Sequence, residues 1–110
     1  MHPFIEYFDR KHKTIRLTPL PNQGAYNWTA VTERLKQKMA EGILNWDLDL
    51  GRMMQIDSHA AGAFIVYSMT VSQAGGTFRL IVNRGTPAFE TLQFYKLHML
   101  IQVIGRGATV

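Results

Sequence analysis

The hydrophobic period of this chain changes several times along its length, and that alternation restricts the fold more than any single motif does. Leu44, Trp46, Leu48 and Leu50 alternate with Asn45, Asp47 and Asp49, the two-residue period of a half-buried strand with one dry and one polar face. From residue 58 to about residue 73, Ala61, Phe64, Ile65, Ser68 and Val71 fit a helix that is apolar nearly all round in its first half, which predicts a largely buried element. Ala74-Gly75-Gly76 ends it, and Phe78, Leu80 and Val82 then alternate with Thr77, Arg79 and Ile81 as another strand. Strand, helix and strand in this order form a βαβ unit, which sets its two strands parallel.

The flanking segments extend the pattern. Phe4 to Phe8 and Thr14 to Thr18 are rich in aromatic or β-branched residues and are separated by Asp9-Arg10-Lys11-His12-Lys13, so residues 1–18 read as an N-terminal hairpin with a charged turn. Two prolines and a glycine make residues 19–24 a loop. Trp28, Val31, Leu35 and Met39 recur at helical spacing, with Asn27 placed as the N-cap and Gly42 as the stop. Asn83-Arg84-Gly85 is a turn, Thr86-Pro87 opens a short helix, and Phe89, Leu92 and Tyr95 form its expected inward stripe. Residues 100–104 read as a last short strand and residues 105–110 as a frayed tail. The expected fold is α/β, one domain over residues 1–110, with a mixed central sheet of about 4–5 strands and helices mainly on one face. Arg16, Asp47, Asp49 and Arg79 would share the opposite face and pair across strands.

Composition removes several function classes. With no cysteine among 110 residues, disulfides, thiolate metal sites and cysteine nucleophiles are absent, and a cytoplasmic setting is expected. The first ten residues include Glu6, Asp9 and Arg10 and lack a secretory apolar run, and the longest largely apolar stretch is far short of the ~20 residues of a spanning helix, so no membrane insertion is expected. The formal net charge of +4 is a mild excess that permits an acidic partner without demanding one. The basic cluster Arg10, Lys11, Lys13 and Arg16 lacks interleaved aromatic residues for base stacking, so a solvated turn is expected there and no nucleic acid as partner.

Catalytic signatures fail by inspection. There is no G-x-S-x-G, no G-x-x-x-x-G-K-[ST] and no G-x-G-x-x-G, so no enzyme and no cofactor is expected. His2, His12, His59 and His98 lack ligand spacing, so no metal site is expected either. Asp47 and Asp49 project to one side of their strand, where a solvated or Arg-paired face is the simplest reading. Ser58 and His59 are adjacent, but successive helix residues diverge by about 100° and do not face each other. The remaining candidate is Asp57-Ser58 at the start of the central helix. It is either a simple cap, stabilising by about 0.5–2 kcal/mol, or a phosphorylation site where the helix dipole receives the anion.

The run Trp46-Asp47-Leu48-Asp49-Leu50, a short connection, Ile56-Asp57-Ser58-His59-Ala60-Ala61-Gly62, and then Ala74-Gly75-Gly76-Thr77-Phe78-Arg79-Leu80-Ile81-Val82-Asn83 resembles the STAS domain of bacterial anti-sigma factor antagonists. The likeness extends over residues 44–104, through Leu97-His98-Met99-Leu100-Ile101-Gln102-Val103-Ile104. It implies a non-enzymatic switch. The unphosphorylated protein binds an anti-sigma factor that is itself a serine kinase, phosphorylation breaks the complex, and a phosphatase restores it. Ser58 falls at the family's phosphoacceptor position, with Asp49, Asp57, His59 and Gly62 as its surroundings and partner surface. His59 and Ala60 replace the family's second serine and glycine, Ala61 replaces a leucine, and residues 19–26 form a longer loop without the family's acid. Two alternatives stand beside the switch: a STAS subunit docking constitutively in a transporter or signalling scaffold, and a module binding a nucleotide or lipid near residues 19–26.

Overall fold

The computed structural model describes residues 3–21 and 26–107. Strands β1 (Phe4–Asp9), β2 (Thr14–Pro19), β3 (Asn45–Asp49), β4 (Thr77–Asn83) and β5 (Gln102–Arg106) form one sheet in the order β1-β2-β3-β4-β5. β1 runs antiparallel to β2 as the expected hairpin, and β2 to β5 are mutually parallel. Three helices supply the crossovers between parallel neighbours: α1 (Thr29–Ala40), α2 (Ser58–Gln73) and α3 (Pro87–Phe94), the last followed by a 3-10 turn at Leu97–Met99.

Register places Ile15, Trp46 and Phe78 in one row and Leu17, Leu48, Leu80 and Val103 in another. These rows form one contiguous core with Val31 and Leu35 of α1, Phe64, Tyr67 and Val71 of α2, and Ala88 and Leu92 of α3. The helices therefore cover one face of a mixed five-stranded sheet. Edge-to-face stacking of Trp28 on Phe64, with ring centroids 5.0 Å apart, and the Tyr67 hydroxyl shared between Thr32 and the Trp28 carbonyl fasten α1 to α2. At the α2–β4 turn a Cβ on Gly76 would stand 1.9 Å from the Leu44 carbonyl oxygen, so only glycine lets β4 start beside β3. No helix among the described residues is long and apolar enough to cross a membrane.

Several local expectations need correction. Asn27 is not the N-cap of α1. Trp28 occupies that position, and Asn27 Oδ1 instead accepts the Thr29 N–H at 2.9 Å. α2 is less buried than expected: it encloses Ala60, Ala61, Phe64, Tyr67 and Val71, while Val66 and Met69 are exposed. Of the expected α3 stripe, Leu92 is buried and Phe89 packs partly buried against the core, but Tyr95 is exposed and Ala88 is a further inward residue. Pro19 ends β2, buried, rather than opening a loop, and residues 22–25 of that loop lie outside the described residues. Gly105 and Arg106 belong to β5 rather than to a frayed tail, whose residues 108–110 lie outside the described residues.

β3 is dry on both faces. Asp47 and Asp49 are buried on the helix-free side, which rules out a solvated face and leaves the arginine-paired one. Arg79 grips Asp47 through Nε–Oδ1 and Nη2–Oδ2 contacts of 2.7 and 2.8 Å, and Arg106 grips Asp49 through two contacts of 2.8 Å. Such forked pairs carry the hydrogen bonds that buried carboxylates require.

Candidate functional site

The β3–α2 connection places the Asp57-Ser58 pair, and its own backbone holds it in place. The Leu50 N–H donates to the Ile81 carbonyl at 2.7 Å, the Met53 N–H to the Leu50 carbonyl at 3.0 Å, and the Ala88 N–H of α3 to the Met54 carbonyl at 2.9 Å. Leu50, Met53 and Ile56 are buried in the core cluster. The alternation of buried anchors and exposed Arg52, Met54 and Gln55 turns the chain outward just before α2 begins.

Asp57 is the N-cap, in extended conformation, and its Oδ1 accepts the Ala60 N–H at 2.8 Å. Ser58 is therefore the first residue of α2, and it is exposed, as are Asp57, His59 and Gly62. Its side chain makes no hydrogen bond to another described residue. The hydroxyl stands at the positive end of a 16-residue helix whose first N–H groups have no helical acceptor, a setting that favours an added anion. Ala60 and Ala61 are buried, so these two departures from the family pattern are absorbed by the core and do not alter the surface. Of His59, Ala60 and Ala61, only His59 is exposed.

Asp49 contributes differently. Besides Arg106, its Oδ1 accepts the Gly51 N–H at 2.8 Å, and Asn83 links Arg106 Nε (3.1 Å) to the Gly51 carbonyl (3.2 Å). A Cβ on Gly51 would lie 2.1 Å from Arg106 Nη2, so the glycine lets the guanidinium close over the loop. Burial pushes the Asp49 carboxyl up, but the hydrogen bonds from Arg106 and the Gly51 N–H outweigh it and hold the carboxyl below its ordinary range. Asp49 thus braces the root of the loop that presents Ser58, from beneath the surface. Arg106, assigned from sequence to the tail, is the partner that sequence reasoning missed. No local pattern links positions 49 and 106.

A cavity of about 460 Å³ opens beside the cap, lined on one side by Pro21, Tyr26 and Trp28 and on the other by Arg52, Met53 and Ile56. The Tyr26 hydroxyl donates to the Pro3 carbonyl, and burial together with nearby Tyr67 pushes it up to about 12, so it stays protonated at neutral pH. Among the described residues no three carboxylates or imidazoles gather as a metal-binding group.

No protein-family model and no curated protein matches the sequence. The structure is similar to that of the Thermotoga maritima protein TM1081, known from an NMR structure and from a crystal structure described as that of a "putative anti-sigma factor antagonist". Both comparisons give a TM-score of 0.79 at 18% sequence identity and cover 96% of this chain, with 82% of the NMR chain and 88% of the crystallised one. The fold is STAS-like.

Proposed function

We propose that this STAS-fold chain is a non-enzymatic regulatory module that docks on an anti-sigma factor of the serine-kinase type and is released when Ser58 is phosphorylated. The observation that carries this reading is the exposed Ser58 hydroxyl at the head of α2, directly after its capping aspartate. A phosphate there adds about −1.5 to −2 charges, which the helix end tolerates in the free protein but a docked partner must desolvate beside Asp57. The docking face continues along α2. His59, Gly62, Val66 and Met69 are exposed and follow one another at helical spacing, so an apolar strip extends from the switch residue. A phosphatase resets the switch, and the cysteine-free chain suits a cytoplasmic setting.

The test is co-purification of a kinase-type anti-sigma factor with wild type, Ser58→Ala and Ser58→Asp. Wild type and Ser58→Ala retain the partner, and Ser58→Asp loses it by about tenfold or more. Equal retention by all three contradicts the switch and favours constitutive docking. The cavity beside Tyr26 and Trp28 supports a second reading, binding of a nucleotide or lipid. A melting temperature that stays fixed across nucleotide and lipid panels removes it.

A further inference from the structure

We infer that the helix-free face of the sheet carries an anion site that takes a small phosphate-bearing ligand through Arg16 and His12. Register sets Tyr7, Arg16, Asp47 and Arg79 side by side across four strands, and together with the hairpin turn they enclose a cleft of about 350 Å³. Pairing within this cleft is uneven. Both oxygens of Asp47 are held by Arg79 at 2.7 and 2.8 Å, so Arg16 is left with one contact of 3.8 Å to the same carboxylate, too long for a hydrogen bond. The Arg16 side chain is 45% exposed and makes no hydrogen bond to any described residue, which leaves a guanidinium fork lining a concave surface.

His12 completes the donor set. Its Nδ1 lies 2.7 Å from Asp9 Oδ2, and Asp9 Oδ1 also accepts the N–H groups of Lys11 and His12, so the ring is held in place. Because the carboxylate accepts, Nδ1 carries the proton, and the other nitrogen is a donor only when the ring is protonated. The groups that share the cleft with the imidazole are Asp9, Tyr7 from β1, Thr14 and Arg16 from β2, Asp47 from β3 and Arg79 from β4. With Asp47 held by Arg79 through both oxygens and Asp9 engaged by His12 and two backbone N–H groups, Arg16 is the cation of the cleft without a close partner. A carboxylate is satisfied by one fork, whereas a phosphate accepts from several directions and suits donors arriving from both Arg16 and His12. The phenol ring of Tyr7, directly across from Arg16, supplies the aromatic partner that the linear sequence of this basic cluster lacks.

The experiment is an NMR titration of the full chain with inorganic phosphate, sulfate and acetate, repeated on Arg16→Gln, His12→Asn and the hairpin-tip control Arg10→Gln. Phosphate is expected to shift Tyr7, His12 and Arg16 saturably, and Arg16→Gln to weaken binding about tenfold with Arg10→Gln near wild type. His12→Asn, a turn substitution, gives the same reading should Arg16→Gln disturb the sheet. Absence of saturable shifts, equal losses in Arg10→Gln and Arg16→Gln, or acetate binding as tight as phosphate would each overturn the assignment.

Discussion

Asp57 does two things at once. Its Oδ1 closes the first turn of α2 on the Ala60 N–H, and its own position at the end of the β3–α2 connection makes Ser58 the first residue of the helix. Replacing it by alanine strands a helix-end donor, with an expected cost of about 0.5–2 kcal/mol in urea unfolding, while Asp57→Asn keeps most of the stability. A cost near zero in Asp57→Ala would mean that α2 does not depend on its cap. The cap, and with it the place of Ser58 as the first helical residue, was legible in the sequence because capping is local, needing only an Asp followed by an apolar helical run. His59 was legible as a departure from the family pattern, but that Ala60 faces inward and His59 outward emerges only with the helix in place.

At the level of elements, the least legible was β5. A segment ending Gly105-Arg106-Gly107 carries the composition of a loose end, yet Arg106 reaches across the sheet to Asp49 and pins the edge strand to the root of the α2 loop. The same distance in sequence explains why the solvated and the arginine-paired readings of the polar side of β3 both stood. Alternation puts Asp47, Asp49 and Arg79 on one face and so anticipates the Arg79–Asp47 pair, but not that Arg106 will close over Asp49 or that both carboxylates are buried. By contrast β3, α2 and β4 follow from periodicity and a Gly-Gly turn, where each signal sits inside its own element. Arg106→Ala leaves the buried Asp49 with only the Gly51 N–H. The expected loss is about 1–3 kcal/mol, with faster amide exchange concentrated in residues 102–106 and at the β3–α2 loop. Uniform exchange, with no bias toward those two segments, would show that the pair does not couple them.

For the molecule as a whole, carboxylates gripped by arginines set the acid limit of stability. Hydrogen bonding from Arg34, chiefly, holds the Glu6 carboxyl low, tying β1 to α1, and Asp49 is held low despite its burial. A folded-state value below the unfolded values of about 3.9 for Asp and 4.3 for Glu means stabilisation that is fully present above those values and is lost as pH falls through the folded ones. Melting temperature is therefore expected to hold from neutral pH to about pH 5 and to fall below about pH 4. Asp49→Asn should lower the plateau and flatten the fall, and an identical acid slope in that variant would remove Asp49 from the account.

Phosphoryl transfer tests the role assigned to the head of α2 more directly than any stability measurement. The full chain is incubated with ATP and a serine-kinase anti-sigma factor, and intact mass is read for wild type and Ser58→Ala. The account predicts one phosphoryl increment on wild type and none on the variant. An unchanged wild-type mass, or an increment that survives in Ser58→Ala, would contradict it.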